Sequence, residues 1–189
     1  EAGDKLKIIG RAGAGVDNID LIAPKKKNII VMNTPGGNTN ATAEHTISLL
    51  LSLYRSIPKA NTSTHQGLWE KKNFKGLELK GKKIGLIGFG NVAQRVAEIA
   101  KGFDMEVFVF SKSFESRKSN YLGIKSLTLK EILTICDIIS FHCKPPKDGN
   151  PIINLLELKK MKKNAVIINT ARGNLVNEID LKTALNESI

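Results

Sequence analysis

The chain has 189 residues, of which 41% are hydrophobic and 25% charged, a balance that suits one folded domain, or one with part of another, and excludes a disordered chain. No apolar run reaches the roughly 18 residues of a membrane-spanning helix, so no membrane partner is expected. The net charge of +11 comes from lysines scattered along the chain without one basic stripe, which argues against a nucleic-acid partner and suits small anions.

Short apolar runs alternate with helical patterns along the chain, which predicts a parallel β-sheet flanked by helices. Pro58 is expected to end or kink the helix predicted over residues 42–55, and the polar stretch after Pro58 is assigned no element. Gly102 is expected as the C-cap of the helix predicted over residues 91–101. Strands are predicted over residues 7–10, 29–32, 83–87, 106–110, 137–142 and 165–169, and helices over 42–55, 91–101 and 155–162. Thr128 with Glu131 predicts the capping box of a short helix, and Asn177 the cap of a last one. This order predicts an α/β fold with a doubly wound parallel sheet, the Rossmann arrangement.

A glycine-rich turn follows the apolar strand at 83–87 and opens a helix near Asn91. Its residues, Gly88-Phe89-Gly90-Asn91-Val92-Ala93, fit the pattern G-x-G-x-x-G/A of dinucleotide-binding sites. Gly88 permits a tight turn, Gly90 lets the backbone approach a pyrophosphate, and Ala93 lets the helix pack on the strand. Asn91 and Val92 lie where N–H groups at the start of the helix would bind the phosphates.

The next strand of a dinucleotide fold commonly ends in Asp or Glu, which binds the ribose hydroxyls. Here Ser111 stands at that position and is followed by Lys112. Two alternatives stay open: the hydroxyl of Ser111 contacts NAD, or Lys112 attracts the 2′-phosphate of NADP. NAD is the predicted cofactor, with NADP as the alternative.

Four separated motifs occur in the order in which a known family has them. The chain resembles the D-isomer-specific 2-hydroxyacid dehydrogenases over essentially its whole length, and among them the 3-phosphoglycerate dehydrogenase type. The motifs are Gly-Arg-Ala-Gly-Ala-Gly-Val-Asp-Asn-Ile-Asp over residues 10–20, Met-Asn-Thr-Pro-Gly-Gly-Asn-Thr over 32–39, Gly-Leu-Trp over 67–69 and Asn-Thr-Ala-Arg-Gly over 169–173.

This resemblance implies two domains around a cleft. Residues 1–36 would be the C-terminal piece of the first segment of a flavodoxin-like substrate domain, and residues 37–189 the NAD(P)-binding Rossmann domain, truncated at its end. The segment with Trp69 and Phe74 would pair two cofactor domains, so a homo-oligomer is expected.

The two cysteines form no disulfide framework, which predicts a reducing, cytoplasmic location.

The resemblance also implies a hydride transfer between a nicotinamide cofactor and a D-2-hydroxy acid. The expected reaction is the conversion of 3-phosphoglycerate to 3-phosphohydroxypyruvate on the route to serine. Arg172 matches the cation that grips the carboxylate of the substrate, which a guanidinium does through two hydrogen bonds. Arg11 and Asn38 match substrate-binding positions. Ala14, Cys143, Thr170, Ala171 and Arg172 match positions beside the cofactor, Cys143 being equally well interpreted as a small buried hydrophobe.

The catalytic His and Glu of the family would lie beyond Ile189, so the chain is expected to be a fragment that binds dinucleotide without turnover. His45, His65 and His142 are not assigned to acid/base work. Two other functions stay open: reduction of glyoxylate, hydroxypyruvate or a similar 2-oxo acid, and, in a different class, a non-catalytic NADH-binding interaction protein. No metal site is predicted.

Overall fold

The strands and helices occur in two units, Glu1–Ala41 and Thr42–Ile189. The computed structural model of the chain describes residues 5–115 and 123–189. In the first unit β1 (Ile8–Gly10) and β2 (Ile30–Met32) pair in parallel and are joined through α1 (Ile22–Lys26). The glycine-rich loop of residues 11–15 therefore follows the carboxyl end of β1, as the sequence predicts.

A five-stranded parallel sheet organises the second unit, with the strand order β5-β4-β3-β6-β7. The chain runs outward from β3 to β5 and then returns to the other side of β3, so the order reverses between β3 and β6. This is the doubly wound arrangement, and it confirms the predicted fold class. The strands are β3 (Lys83–Ile87), β4 (Glu106–Phe110), β5 (Lys125–Ser126), β6 (Ile138–Phe141) and β7 (Val166–Asn169).

Helices cover both faces of this sheet because successive strand residues point to opposite sides. Ile84 and Leu86 of β3 pack in one buried cluster with α2 and α4, whereas Ile87 packs in a second with α6 and α7. None of the helices within the described ranges is long and apolar enough to cross a membrane. The helices are α2 (Thr39–Tyr54), α3 (Ile57–His65), α4 (Asn91–Gly102), α5 (Lys112–Glu115), α6 (Leu129–Ile135), α7 (Leu155–Leu158) and α8 (Glu178–Glu187).

The ends of three helices differ from the predictions. Pro58 does not interrupt α2, which ends at Tyr54; it lies in the first turn of the separate helix α3, where a missing N–H costs nothing. Gly102 is the last residue of α4 and not its C-cap, because the turn to left-handed backbone comes two residues later, at Asp104 with φ +56°. Helix α7 has 4 residues and stops before the predicted end at residue 162.

Candidate dinucleotide-binding site

Four strands of the sheet end side by side. The register pairs Phe110 of β4 with Ile87 of β3, Ile87 with Phe141 of β6, and Phe141 with Asn169 of β7. Because the strands are parallel, all four chains leave at the same edge, and the row spans about 14 Å at the usual strand spacing. The residues that follow these ends are most of the predicted cofactor site: Ser111, Gly88 to Val92, Cys143 and Thr170 to Arg172.

Gly88 is required by the protein's own packing. Its φ is +95°, and a Cβ there would stand 2.6 Å from the carbonyl oxygen of His142, closer than any ordinary contact. The turn is also tied to both neighbouring strands, since the Gly88 N–H donates to the Phe110 carbonyl over 2.9 Å and the His142 N–H donates to the Ile87 carbonyl over 2.8 Å. The turn is therefore fixed by main-chain hydrogen bonds before any ligand arrives.

Gly90 presents the opposite case. Its backbone (φ −81°, ψ −170°) suits any residue, and a Cβ would meet no atom of the described structure within 4 Å. Neither backbone strain nor packing there demands glycine, and the space beside it is open. A ligand that approaches the backbone closely is the remaining physical reason for the absent side chain.

The start of α4 supplies the groups that a phosphate needs. Gly90 is the N-cap residue and has no side-chain oxygen, and the first turn carries no acidic residue. The N–H groups of the first turn, at Asn91, Val92 and Ala93, therefore have no side-chain acceptor at the cap to donate to, and the helix dipole adds a partial positive charge. Together with the space at Gly90, these residues fit the pyrophosphate of a dinucleotide.

Asn169 braces the loop that carries Arg172. Its Oδ1 accepts from the Ala171 N–H over 3.1 Å, and its Nδ2 donates to the Arg172 carbonyl over 2.8 Å. The Arg172 side chain is exposed and donates from Nη1 to the Ala171 carbonyl over 2.8 Å. Sequence reasoning placed Asn169 in a motif without a role; a polar amide ending an apolar strand is the signal that could have identified it as a positioning residue.

A partly buried hydroxyl pair connects the same loop to α2. The Oγ1 atoms of Thr46 and Thr170 lie 2.8 Å apart, and the Thr46 hydroxyl also lies 2.8 Å from the Thr42 carbonyl. A carbonyl only accepts, so the single hydrogen of Thr46 is used there and Thr170 donates to Thr46. The Thr170 hydroxyl is thereby oriented with its own hydrogen turned to the protein, a contact that sequence reasoning missed because it joins residues 124 positions apart.

His142 and Cys143 follow β6 beside the glycine turn. Burial lowers the pKa of His142 to about 4, and its Nε2 lies 2.9 Å from the hydroxyl of Ser140. The ring is therefore neutral at pH 7 and poorly matched to acid/base work, for which a pKa near the operating pH is best. Burial also raises the pKa of the Cys143 thiol, which packs against the buried cluster that contains Ile87.

Three predicted site residues belong to the first unit. The Ala14 carbonyl accepts from Nδ2 of Asn33 over 2.8 Å, and the Arg11 N–H donates to the Met32 carbonyl over 2.9 Å. Asn38 precedes α2 by one residue. The roles of Arg11, Ala14 and Asn38 toward substrate and cofactor stay predictions.

A groove of about 470 Å³ lies away from the glycine turn, along the outer strand β7 and helix α8. Its walls are mostly apolar and include Val166, Leu181 and Leu185. The start of α8 faces it at Glu178, but the Asn177 side chain already caps that helix and its first turn carries two acidic residues, Glu178 and Asp180, which repel a phosphate. The row of strand ends is therefore the better candidate for a dinucleotide.

Known proteins share this arrangement. Residues 47–189 match the profile of the D-isomer specific 2-hydroxyacid dehydrogenase, NAD binding domain. The chain is 40% identical over 185 residues to D-3-phosphoglycerate dehydrogenase of Archaeoglobus fulgidus and 41% identical over 180 residues to that of Bacillus subtilis, covering 98% and 95% of this chain. It spans only 35% and 34% of those two relatives.

A solved structure agrees with the sequence comparisons. An acyclic imino acid reductase in complex with NADPH and D-Arg is 37% identical with a TM-score of 0.85, over 97% of this chain and 59% of that one. The likeness covers both the sequence and the path of the backbone. The chain thus belongs to the D-isomer specific 2-hydroxyacid dehydrogenase family and contains its NAD-binding domain.

Proposed function

We propose that the protein moves a hydride between a nicotinamide dinucleotide and a D-2-hydroxy acid, with D-3-phosphoglycerate as the substrate. The observation that carries this proposal is the row of four strand ends, which sets the glycine turn and the Arg172 loop at one sheet edge. The two curated relatives named above support the substrate. The net charge of +11 suits a substrate with a carboxylate and a phosphate.

Each part of the row has a distinct task in this proposal. A nicotinamide dinucleotide, when bound, would supply the hydride acceptor or donor. The turn from Gly88 to Val92 would hold its pyrophosphate, and the oriented Thr170 hydroxyl would lie beside its nicotinamide. Arg172 grips the substrate carboxylate through two parallel hydrogen bonds and polarises the adjacent carbonyl, which a lysine does less well.

The proton of the substrate hydroxyl needs a separate acid/base group. His45 and His65 are exposed on α2 and α3, and His142 is held neutral by burial. We therefore assign this group to a part of the full-length protein other than residues 1–189. In the same proposal residues 1–36 belong to the substrate domain, whose Arg11 contacts the acid. Asn38, at the start of the cofactor domain, contacts it as well.

The test uses the full-length protein that carries this chain, with NADH absorbance as the signal. Oxidation of D-3-phosphoglycerate should be detected and should be faster than reduction of glyoxylate or hydroxypyruvate. Arg172→Lys should lower kcat/KM at least about a hundredfold, as for other groups that stabilise charge in a transition state. Arg55→Lys, the same change at an exposed arginine at the end of α2, is the control and should leave activity intact.

Two results would overturn the proposal in different ways. Preference for glyoxylate or hydroxypyruvate would replace the substrate and keep the enzyme class. Binding of NADH with no turnover of any of these acids would favour a non-catalytic NADH-binding protein.

The same proposal includes a second copy of the chain as partner. Trp69 is 87% exposed, and Leu68, Leu77 and Ile57 are each about half exposed on the same unit. Large apolar side chains in such number are typical of a protein interface, where tryptophan is a frequent anchor. Sedimentation should show an oligomer that Trp69→Ala weakens, and a monomeric full-length protein would contradict this.

The location proposed is the cytoplasm. Cys136 is buried, Cys143 is half-buried, and both are free thiols. Reduced cysteines of this kind suit a reducing compartment. Fractionation of cells with detection of the protein in the cytosolic or a membrane-enclosed fraction decides the point.

A further inference from the structure

The residues that follow β4, Ser111 and Lys112, bear on which dinucleotide the site binds. Phe110, the last residue of β4, accepts the hydrogen bond from Gly88 of the glycine turn, so Ser111 and Lys112 come directly after a residue bonded to that turn. In dinucleotide folds a carboxylate here binds the ribose 2′-hydroxyl and repels a phosphate in its place. Ser111 and Lys112 provide no carboxylate, and the first acidic residue after Glu106 at the start of β4 is Glu115.

An aromatic contact packs the segment after β4 against the glycine turn. The rings of Phe89 and Phe114 meet edge to face, with centroids 4.8 Å apart and an interplanar angle of 79°. Both side chains are only 6% exposed, and the Phe114 N–H donates to the Ser111 carbonyl over 3.1 Å. Since Phe89 is part of the glycine turn, the main chain at Ser111 is fixed relative to the place proposed for the pyrophosphate.

The side chains of Ser111 and Lys112, which follow β4, suit a phosphate. Lys112 is exposed and carries an ammonium group, and Ser111 is partly buried and carries a hydroxyl. Ammonium and hydroxyl groups both donate to phosphate oxygens, and the charged bond is the stronger one. A neutral ribose hydroxyl gains much less from the lysine than a phosphate dianion does.

We propose that Ser111 and Lys112 form the binding site for the 2′-phosphate of NADP(H), so that the protein binds NADPH at least as tightly as NADH. This inference rests on the proposed function, because it names the dinucleotide that occupies the same row of strand ends. It adds a specificity-determining pair at the adenosine end of the row, opposite Arg172.

Calorimetric titration of the full-length protein with NADH and with NADPH tests the proposal. The readout is the ratio of the two dissociation constants. The wild-type protein should bind NADPH with an equal or lower dissociation constant than NADH, and added salt should weaken NADPH binding more steeply. Ser111→Asp should shift the ratio at least tenfold toward NADH, because the new carboxylate repels the phosphate and accepts from the ribose hydroxyl.

Lys112→Ala provides a second variant that keeps Ser111 and should shift the ratio in the same direction. Lys80→Glu is the charge control, since Lys80 lies just before β3, at the opposite edge of the sheet, with 75% of its side chain exposed. It should leave the ratio near the wild-type value. A wild-type dissociation constant that is higher for NADPH than for NADH overturns this inference alone, whereas failure to bind either dinucleotide overturns the proposed function with it.

Discussion

Alanine substitutions at Gly88 and Gly90 test whether each glycine of the turn is needed for the stability of the fold or for binding of the cofactor. In Gly88→Ala the methyl group would stand 2.6 Å from the His142 carbonyl oxygen and the backbone would keep a φ of +95°. Left-handed backbone costs a residue with a Cβ about 1–2 kcal/mol, and overpacking costs about 1–3 kcal/mol more. The free energy of unfolding should fall by roughly 2–5 kcal/mol, which lowers Tm by about 4–20 °C for a unit of this size.

Gly90→Ala should behave in the reverse manner. The methyl group meets no protein atom within 4 Å and the φ of −81° is ordinary, so the free energy of unfolding should change by less than about 1 kcal/mol. A bound pyrophosphate would meet the methyl group instead, and a clash of about 1–3 kcal/mol weakens NADH binding by roughly 5-fold to 150-fold.

Thermal unfolding and calorimetric titration with NADH measure the two effects on the same samples. Gly102→Ala, at the other end of α4 and also without neighbours within 4 Å of a Cβ, is the control: it should leave NADH binding unchanged and should not lower Tm, because alanine favours a helix over glycine. Wild-type affinity in Gly90→Ala would refute the assignment of that space to the cofactor. Equal destabilisation of the Gly88 and Gly90 variants would refute the packing argument.

Three further predictions concern the surroundings of the site. Burial lowers the pKa of His142 from 6.5 to about 4, so the unfolded chain binds more protons between these values and the free energy of unfolding falls by up to about 3 kcal/mol as pH drops from 6.5 to 4. In denaturant titrations His142→Gln should flatten this decline, and an unchanged slope would contradict it. Thr128→Ala should cost about 1 kcal/mol, because it removes the capping box of α6 that Thr128→Ser keeps, and equal Tm values for the two variants would exclude that role. Cys136 is fully buried and its pKa is raised to about 12, so a thiol reagent followed by mass spectrometry should modify Cys143 first, and more slowly with NADH bound; early labelling of Cys136 would contradict the burial.

The sequence predicts the central strands well because their local pattern and their environment agree. The bounds of β3 and β4 match the predictions residue for residue, since each is a short apolar run ended by a glycine turn or by polar residues. The capping box at Thr128 and the cap at Asn177 are local hydrogen-bond patterns, and both form as predicted. The glycine turn is predictable for the same reason.

Local patterns do not reveal structure that depends on neighbours distant in sequence. Helix α3 carries mostly polar residues around Pro58 and has a single buried residue, Ser63, so no apolar stripe marks it. The Thr46–Thr170 hydroxyl pair and the Phe89–Phe114 contact join elements that the fold brings together. The strands that carry the predicted site residues form as predicted, while the contacts that hold Thr170 and Ser111 in place come from tertiary structure.

Backbone amide NMR during titration with NADH tests the location of the cofactor most directly. The largest shifts are predicted at Gly90, Asn91 and Val92, with further shifts after the other strand ends, at Ser111 and Ala171. Shifts confined to the groove along β7, at residues such as Leu185 and Ile189, would contradict the assignment of the cofactor to the row of strand ends.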